Sequence, residues 1–213
     1  MQNTLSYRKR AEWPWVTLVL GVATLGCHVL PDGAEWLRYD HDLPAQVWRV
    51  FTCHGVHWDK EHLVWSLGTF VALGIVCEPG HRRAFRGCVG LAALAIPAVL
   101  WFAQSDLRLY GGLSGIDAAL FGFLAVALLR KKARQRAWGW VAGGVGLLTA
   151  FGAKIVYEFL TGDTVFVGEA SALLPVPLAH AVGGAVGIAV ACLEGADTRA
   201  AVKLTATSRA FQA

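Results

Sequence analysis

The sequence predicts an all-α membrane protein, a bundle of six transmembrane helices with both termini in the cytoplasm. Three observations predict it: the composition, the spacing of the apolar runs and the placement of the basic residues. Of 213 residues, 55% are hydrophobic and 16% charged, and the mean hydropathy is +0.48. Soluble domains of this length are far more polar. Six apolar runs, near residues 14–30, 61–77, 86–103, 114–129, 137–157 and 176–193, are long enough or nearly so for a bilayer core, which a helix crosses in about 20 residues.

The first run follows Arg8, Lys9 and Arg10. Its end, Thr24 to Cys27, loosely resembles a lipoprotein processing site. The match at Thr24 and Leu25 is poor, and losing this span would spoil the even count, so it is expected to be retained. A loop from Pro31 to Lys60 follows, carrying Trp36, Trp48 and Trp58, residues suited to anchoring at the headgroup level. Arg82, Arg83 and Arg86 then separate the second and third runs. Arg130, Lys131, Lys132, Arg134 and Arg136 separate the fourth and fifth, and Arg199, Lys203 and Arg209 follow the sixth. Fourteen of the 19 Lys and Arg residues thus fall on one side. The other side holds Asp32, Glu35, Asp40, Asp42, Asp59, Glu61, Asp106, Asp163 and Glu169. The positive-inside rule then puts both termini inside. The expected organisation is a cytoplasmic N-terminus at 1–13, a membrane domain at 14–193 and a loosely ordered cytoplasmic tail at 194–213. The net charge of +4 is a topology signal and gives no support to nucleic-acid binding. Cys27, Cys53, Cys77, Cys88 and Cys192 have no metal-like spacing, so they are expected to pack as small apolar residues, and no metal or cofactor is expected.

Polar side chains inside spans are costly and mark functional candidates. Ser114 and Gly115 open the fourth span at its external end, and His180 lies about one turn into the sixth from the same side. His62 and Ser66 share a face near the external end of the second. Singly, each has an ordinary explanation: a serine back-bonding to a carbonyl, or a histidine at the interface. Together, at one depth, they supply the parts for acyl transfer: a nucleophile, a base and oxyanion donors. Gly111, Gly112 and Gly115 flank the serine, and Gly183, Gly184 and Gly187 follow His180, so the two helices are free to approach closely. The soluble-hydrolase elbow GxSxG is absent, because Ile116 stands where its last glycine would be.

These residues resemble the rhomboid family of intramembrane serine proteases. The resemblance runs from Trp48-Arg-Val-Phe-Thr-Cys-His-Gly-Val-His57 through His62, Ser66, Gly74 and Glu78, then Gly112-Leu-Ser-Gly115 with Gly122, and Ala179-His180 with Gly183 and Gly187. It covers about residues 45–190 and implies a six-helix rhomboid-like bundle. The small chain is similar to the rhombosortase subgroup. The resemblance implies Ser114 as nucleophile, His180 as base in a dyad, and His62 with the Ser114 N–H at the oxyanion. It implies structural support from Arg49, His57, Glu78, Gly112, Gly115, Gly183 and Gly187. Expected partners are the lipid bilayer and single-pass membrane substrates, with a C-terminal Gly-Gly and helix signal if the subgroup holds. The expected location is a bacterial inner membrane, with the site facing outward.

Two positions depart from the family. Ser66 stands where relatives usually carry an asparagine oxyanion donor, so it is expected to donate weakly. Ala118 stands where many place a ring against the catalytic histidine. Asp117 and Lys154 are candidates for support around the dyad. A structural Asp117–Lys154 pair is favoured over Asp117 as a third catalytic member, with Lys154–Glu158 pairing and outward snorkelling left open. The competing functions are an inactive rhomboid-like protein that binds or escorts membrane helices, and a small transporter, against which the lack of paired carboxylates and of a broken midplane helix counts.

Overall fold

The computed structural model describes residues 13–162 and 176–210, with side chains as far as 195. Arg8, Lys9, Arg10, Asp163 and Glu169 lie outside the described residues, as do the side chains of Arg199, Lys203 and Arg209. The elements in order are α1 (Trp15–Val29), α2 (Gly33–Leu37), β1 (Tyr39–Asp40), α3 (Arg49–Thr52) with a 3₁₀ turn (Cys53–Gly55), α4 (Lys60–Cys77), α5 (Arg82–Ala103), β2 (Leu109–Tyr110), α6 (Ser114–Arg134), α7 (Trp138–Thr161) and α8 (Pro177–Ala210).

Each apolar run forms one long helix. Four helices have the length and apolarity to cross a membrane: Lys60–Cys77, Arg82–Ala103, Trp138–Thr161 and, within α8, Pro177–Gly195. Helix α1 is apolar but has 15 residues, about 22 Å at 1.5 Å per residue. Helix α6 is limited by its charges, Asp117 near its start and Lys131, Lys132 and Arg134 in its last turn. Many large apolar side chains are exposed, including Val145, Leu147, Phe159 and Leu160 on α7 and Val64 and Trp65 on α4. Apolar exposure on this scale suits lipid as the surrounding solvent; the chain is an integral membrane protein. Tryptophans are exposed toward both ends of the bundle, Trp13, Trp15, Trp138 and Trp140 at one and Trp36, Trp48 and Trp58 at the other.

The tail differs from expectation. Helix α8 continues past 193 to Ala210, because a stretch rich in alanine and free of glycine after Gly195 and of proline has high helix propensity. All five cysteines are free, with Cys53, Cys77 and Cys88 buried in the core.

Three contacts secure the end of the bundle that carries the α4–α5 and α6–α7 turns. The Glu78 carboxylate, 2% exposed, accepts hydrogen bonds from Val16 N (2.9 Å), Thr17 N (2.8 Å) and Thr17 Oγ1 (2.7 Å). It therefore caps α1, whose own N-cap, Pro14, offers no side-chain bond. A carboxylate satisfies the orphan N–H groups there and complements the helix dipole. Gly74 permits the approach, since a Cβ there would overlap the Thr17 side chain. His81 Nδ1 reaches Glu194 Oε1 at 2.9 Å, and Arg130 Nη1 donates to Ala191 O at 2.6 Å, tying α5 and α6 to α8.

Replacing Glu78 by alanine orphans two helix N–H groups and a buried hydroxyl. The expected cost is about 2–4 kcal/mol, to be read as a lowered thermal midpoint in detergent, with Thr17→Val milder because the two backbone bonds survive.

Candidate active site

Helix α6 begins at Ser114, and the chain leading into it is held on several sides. β1 pairs antiparallel with β2, Tyr39 opposite Tyr110 and Asp40 opposite Leu109. His41 N adds a bond to Arg108 O at 2.8 Å, and Arg108 Nε reaches Asp42 Oδ2 at 2.8 Å. Gly112 N donates to Cys53 O at 3.0 Å. Gly112 has φ +123, a conformation that side chains disfavour, and a Cβ there would lie 3.1 Å from His62 Nε2. The serine loop therefore rests directly against the His62 ring.

The long loop before α4 is itself pinned by Arg49, which is 6% exposed. Its Nη1 donates to Glu35 O and Arg38 O, each at 2.7 Å, and its Nε to Gln46 Oε1 at 2.6 Å. One planar guanidinium thus ties the end of α2 to the turn that leads into α3. His57 lies at the end of this loop. Its Nδ1–H donates to Gly55 O at 3.3 Å, and its Nε2 accepts from Leu113 N at 3.5 Å. Burial, reinforced by the neighbouring His62, pushes the His57 imidazole down to about 4. At neutral pH it is uncharged and able to accept from the residue before Ser114.

His62 is the third residue of α4, and its N–H donates to the N-cap side chain, Asp59 Oδ1, at 2.7 Å. Its ring lies 4.9 Å from that of His57, edge to face. Its Nδ1 is buried with no hydrogen-bond partner among the described residues. Ser66 follows one turn along α4 and is buried.

His180 arrives on α8, brought in by glycines. A Cβ at Gly183 would overlap the Gly115 carbonyl, one at Gly187 would overlap the Ala119 carbonyl, and one at Gly122 would lie 2.8 Å from Gly184 O. Helices α6 and α8 therefore meet backbone to backbone, beginning one residue beyond Ser114. Ser114 is partly exposed while Gly112, Leu113 and Gly115 around it are buried. Its hydroxyl donates to no side chain among the described residues, and such bonds commonly tighten only when substrate binds.

The structure also supplies a contact that the sequence did not suggest. His180 Nδ1 lies 3.1 Å from Glu158 Oε2, and Glu158 Oε1 receives Lys154 Nζ at 2.5 Å. The Glu158 side chain is 2% exposed. Neither arrangement weighed for Asp117 is observed. Asp117 lies on the buried side of α6, and its Oδ1 has no hydrogen-bond partner among the described residues. Lys154 turns to Glu158 instead because the two are four residues apart on one helix, where such pairs meet at low entropic cost. The available signal for Glu158 was an acid within an apolar run, one turn from a lysine. His54 was also passed over. It is buried, donating Nε2–H to Ala93 O at 3.1 Å and facing Tyr110 edge-on, which packs the first loop against α5 and β2.

Chemically, the arrangement is a partly exposed hydroxyl at a helix start, a histidine whose Nδ1 is engaged so that Nε2 can accept, and a second imidazole against the serine loop. The N–H groups of the first helical turn have no intrahelical partner and carry the positive end of the dipole. This is the equipment for attack on a carbonyl and stabilisation of the resulting oxyanion.

No match is found among curated proteins. The sequence pattern of the rhomboid domain matches residues 44–196, a span that begins in the loop pinned by Arg49 and ends after the glycine face of α8. The chain belongs to the rhomboid family of intramembrane serine proteases.

Proposed function

We propose that the protein is an active serine endopeptidase that cleaves membrane-anchored proteins near the extracytoplasmic end of their transmembrane helix. The observation that carries this is the approach of α8 to the start of α6, which brings His180, its Nδ1 already engaged, to the end of the bundle that holds Ser114 and His62. Six spans with both termini inside put that end on the outer side of a bacterial inner membrane, where water can reach it.

In the proposed reaction Ser114 Oγ attacks the scissile carbonyl carbon as His180 Nε2 takes its proton. The oxyanion forms beside His62 and the Ser114 N–H, with Ser66 contributing weakly. The tetrahedral intermediate collapses as His180 returns the proton to the leaving amine. Water, deprotonated by the same histidine, then releases the acyl group. Arg49, His57, Glu78 and the glycines hold the frame. Assigned to the rhombosortase subgroup, the protein would act on single-pass substrates with a C-terminal Gly-Gly, a hydrophobic helix and a basic tail, with hydrolysis or transfer to another acceptor as the outcome.

A second reading, a catalytically impaired protein that escorts membrane helices, draws on Ser66 at the usual asparagine position and Ala118 at the usual ring position. Labelling with a fluorophosphonate probe separates the two. An active protease gives an adduct that Ser114→Ala and His180→Ala both abolish, and it cuts a reconstituted Gly-Gly-tailed substrate. No Ser114-dependent adduct, and no cleavage across a panel of helical substrates, would replace it by the escort.

Gly112→Ala should lower the labelling rate at least tenfold. The added Cβ meets the His62 ring, and the left-handed backbone costs a side-chain residue about 1–2 kcal/mol; thermal melting measured alongside shows how much is lost to stability. Asp117→Asn should behave oppositely. With no cation bonded to Asp117 among the described residues, a neutral isostere of the same shape breaks no ion pair. The variant is expected to melt no lower than the parent and to label within about threefold of its rate, whereas a folded but unreactive D117N would make Asp117 part of the chemistry.

A further inference from the structure

We infer that Glu158 is the positioning residue for His180, making the reactive assembly a Ser114–His180–Glu158 triad whose third member comes from α7. The inference rests on the Ser114–His180 chemistry proposed above and adds to it the group that sets the histidine's tautomer and direction.

The placement of Glu158 is not what an ordinary surface pair would give. Among the residues of α7, a 24-residue helix, it is the buried one. Everything else on that helix is partly or fully exposed. A lysine and a glutamate four apart can meet anywhere around a helix, including a wet or lipid-facing side. Here the carboxylate is turned inward instead, to 2% side-chain exposure, while Lys154 keeps 19% and His180 15%. A carboxylate so far from water is stable only when its oxygens are bonded. Glu158 meets that need with one oxygen to the ammonium and the other to the imidazole.

The consequence for His180 is specific. A carboxylate accepts, so the bond requires hydrogen on Nδ1 and leaves the Nε2 lone pair for the serine proton. When His180 takes that proton it becomes an imidazolium with an anion already in contact. The Lys154 ammonium sits on the other oxygen, so the two Glu158 oxygens are divided between a fixed cation and the ring they orient. The other polar groups on the helices at this end of the bundle are His62 and Ser66 on α4 and Ser114 with Asp117 on α6. None of these bonds His180 in the structure, and Asp117, the nearer acid in sequence to Ser114, is not bonded to it.

The test begins with the unvaried protein in detergent micelles, labelled with ¹⁵N-histidine, the His180 signals assigned by their loss in His180→Gln. The expected neutral form has Nδ1 protonated and Nε2 bare, the reverse of the tautomer favoured by free histidine. An Nε2–H tautomer overturns the inference. Kinetics supply the second measurement. With saturating fluorophosphonate, Glu158→Gln should lower the maximal labelling rate by about 10²–10⁴-fold, the range of a general-base contribution. The probe concentration for half-maximal rate should stay within about twofold, and Glu158→Asp should recover part of the loss. A folded E158Q labelled at the parental rate also overturns it. Should E158Q fail to fold, the tautomer of the unvaried protein decides. If the unvaried protein shows no Ser114-dependent labelling, it is the protease that fails, and the histidine spectrum still reports on Glu158 by itself.

Discussion

The structure depends on one contact, the backbone-to-backbone packing of α6 on α8. Gly183 and Gly187 lie so close to the Gly115 and Ala119 carbonyls that no side chain fits at either position. In a bilayer, apolar surface gains nothing by turning from lipid to protein, so helices associate through packing and polar contacts. Small residues make that packing close, and they recur on α8 every four residues, one face of the helix. The spacing does two things at once. It supplies the attraction that holds the bundle together, and it fixes how far along α6 the first turn of α8 falls. His180, three residues before Gly183, is thereby delivered to the level at which α6 begins.

The other elements keep the start of α6 where α8 can meet it. The serine loop has no helix or extended sheet of its own, so its backbone groups must be bonded by neighbours. Cys53, β1 and His57 provide those bonds, and Arg49 holds the loop from which all three come. The neutral His57 suits this task, since a charged imidazole could not accept from Leu113. At the opposite end Glu78 anchors α1 onto α4, far from the chemistry. The resemblance grouped Arg49, His57 and Glu78 together, yet one staples a loop, one accepts a bond from Leu113 and one caps a helix.

What could be read in advance followed from local pattern. Apolar runs of bilayer length located all six long helices, and short motifs singled out Ser114, His62 and His180 as candidates, because each signal is contained in a few consecutive residues. The features that escaped are those set by neighbours distant in the chain. A two-residue ladder between β1 and β2 has no periodicity to detect. The continuation of α8 to Ala210 was hidden by small residues that suit a loose tail as well as a helix. Glu158 carried the sign of a buried acid, but Lys154 already accounted for it. Only the packing of α7 beside α8 shows that its second oxygen is used on a residue 22 positions away. The same geometry decided against Asp117, whose place near the serine in sequence made it the more visible acid.

Glu158 also bears on Ala118. A ring packed against a histidine fixes where the imidazole sits. Packing alone leaves open which nitrogen carries the hydrogen, since both tautomers have the same shape. A carboxylate bond settles position and tautomer together, because only a protonated nitrogen can approach an acceptor at 3.1 Å favourably. With Ala118 small and buried, the side chain that restrains His180 comes from α7 rather than from α6. The cost is a carboxylate taken out of water, and Lys154 offsets it from one turn away. A small residue at 118 and an acid at 158 thus belong to one arrangement, in which a carboxylate bond restrains the ring.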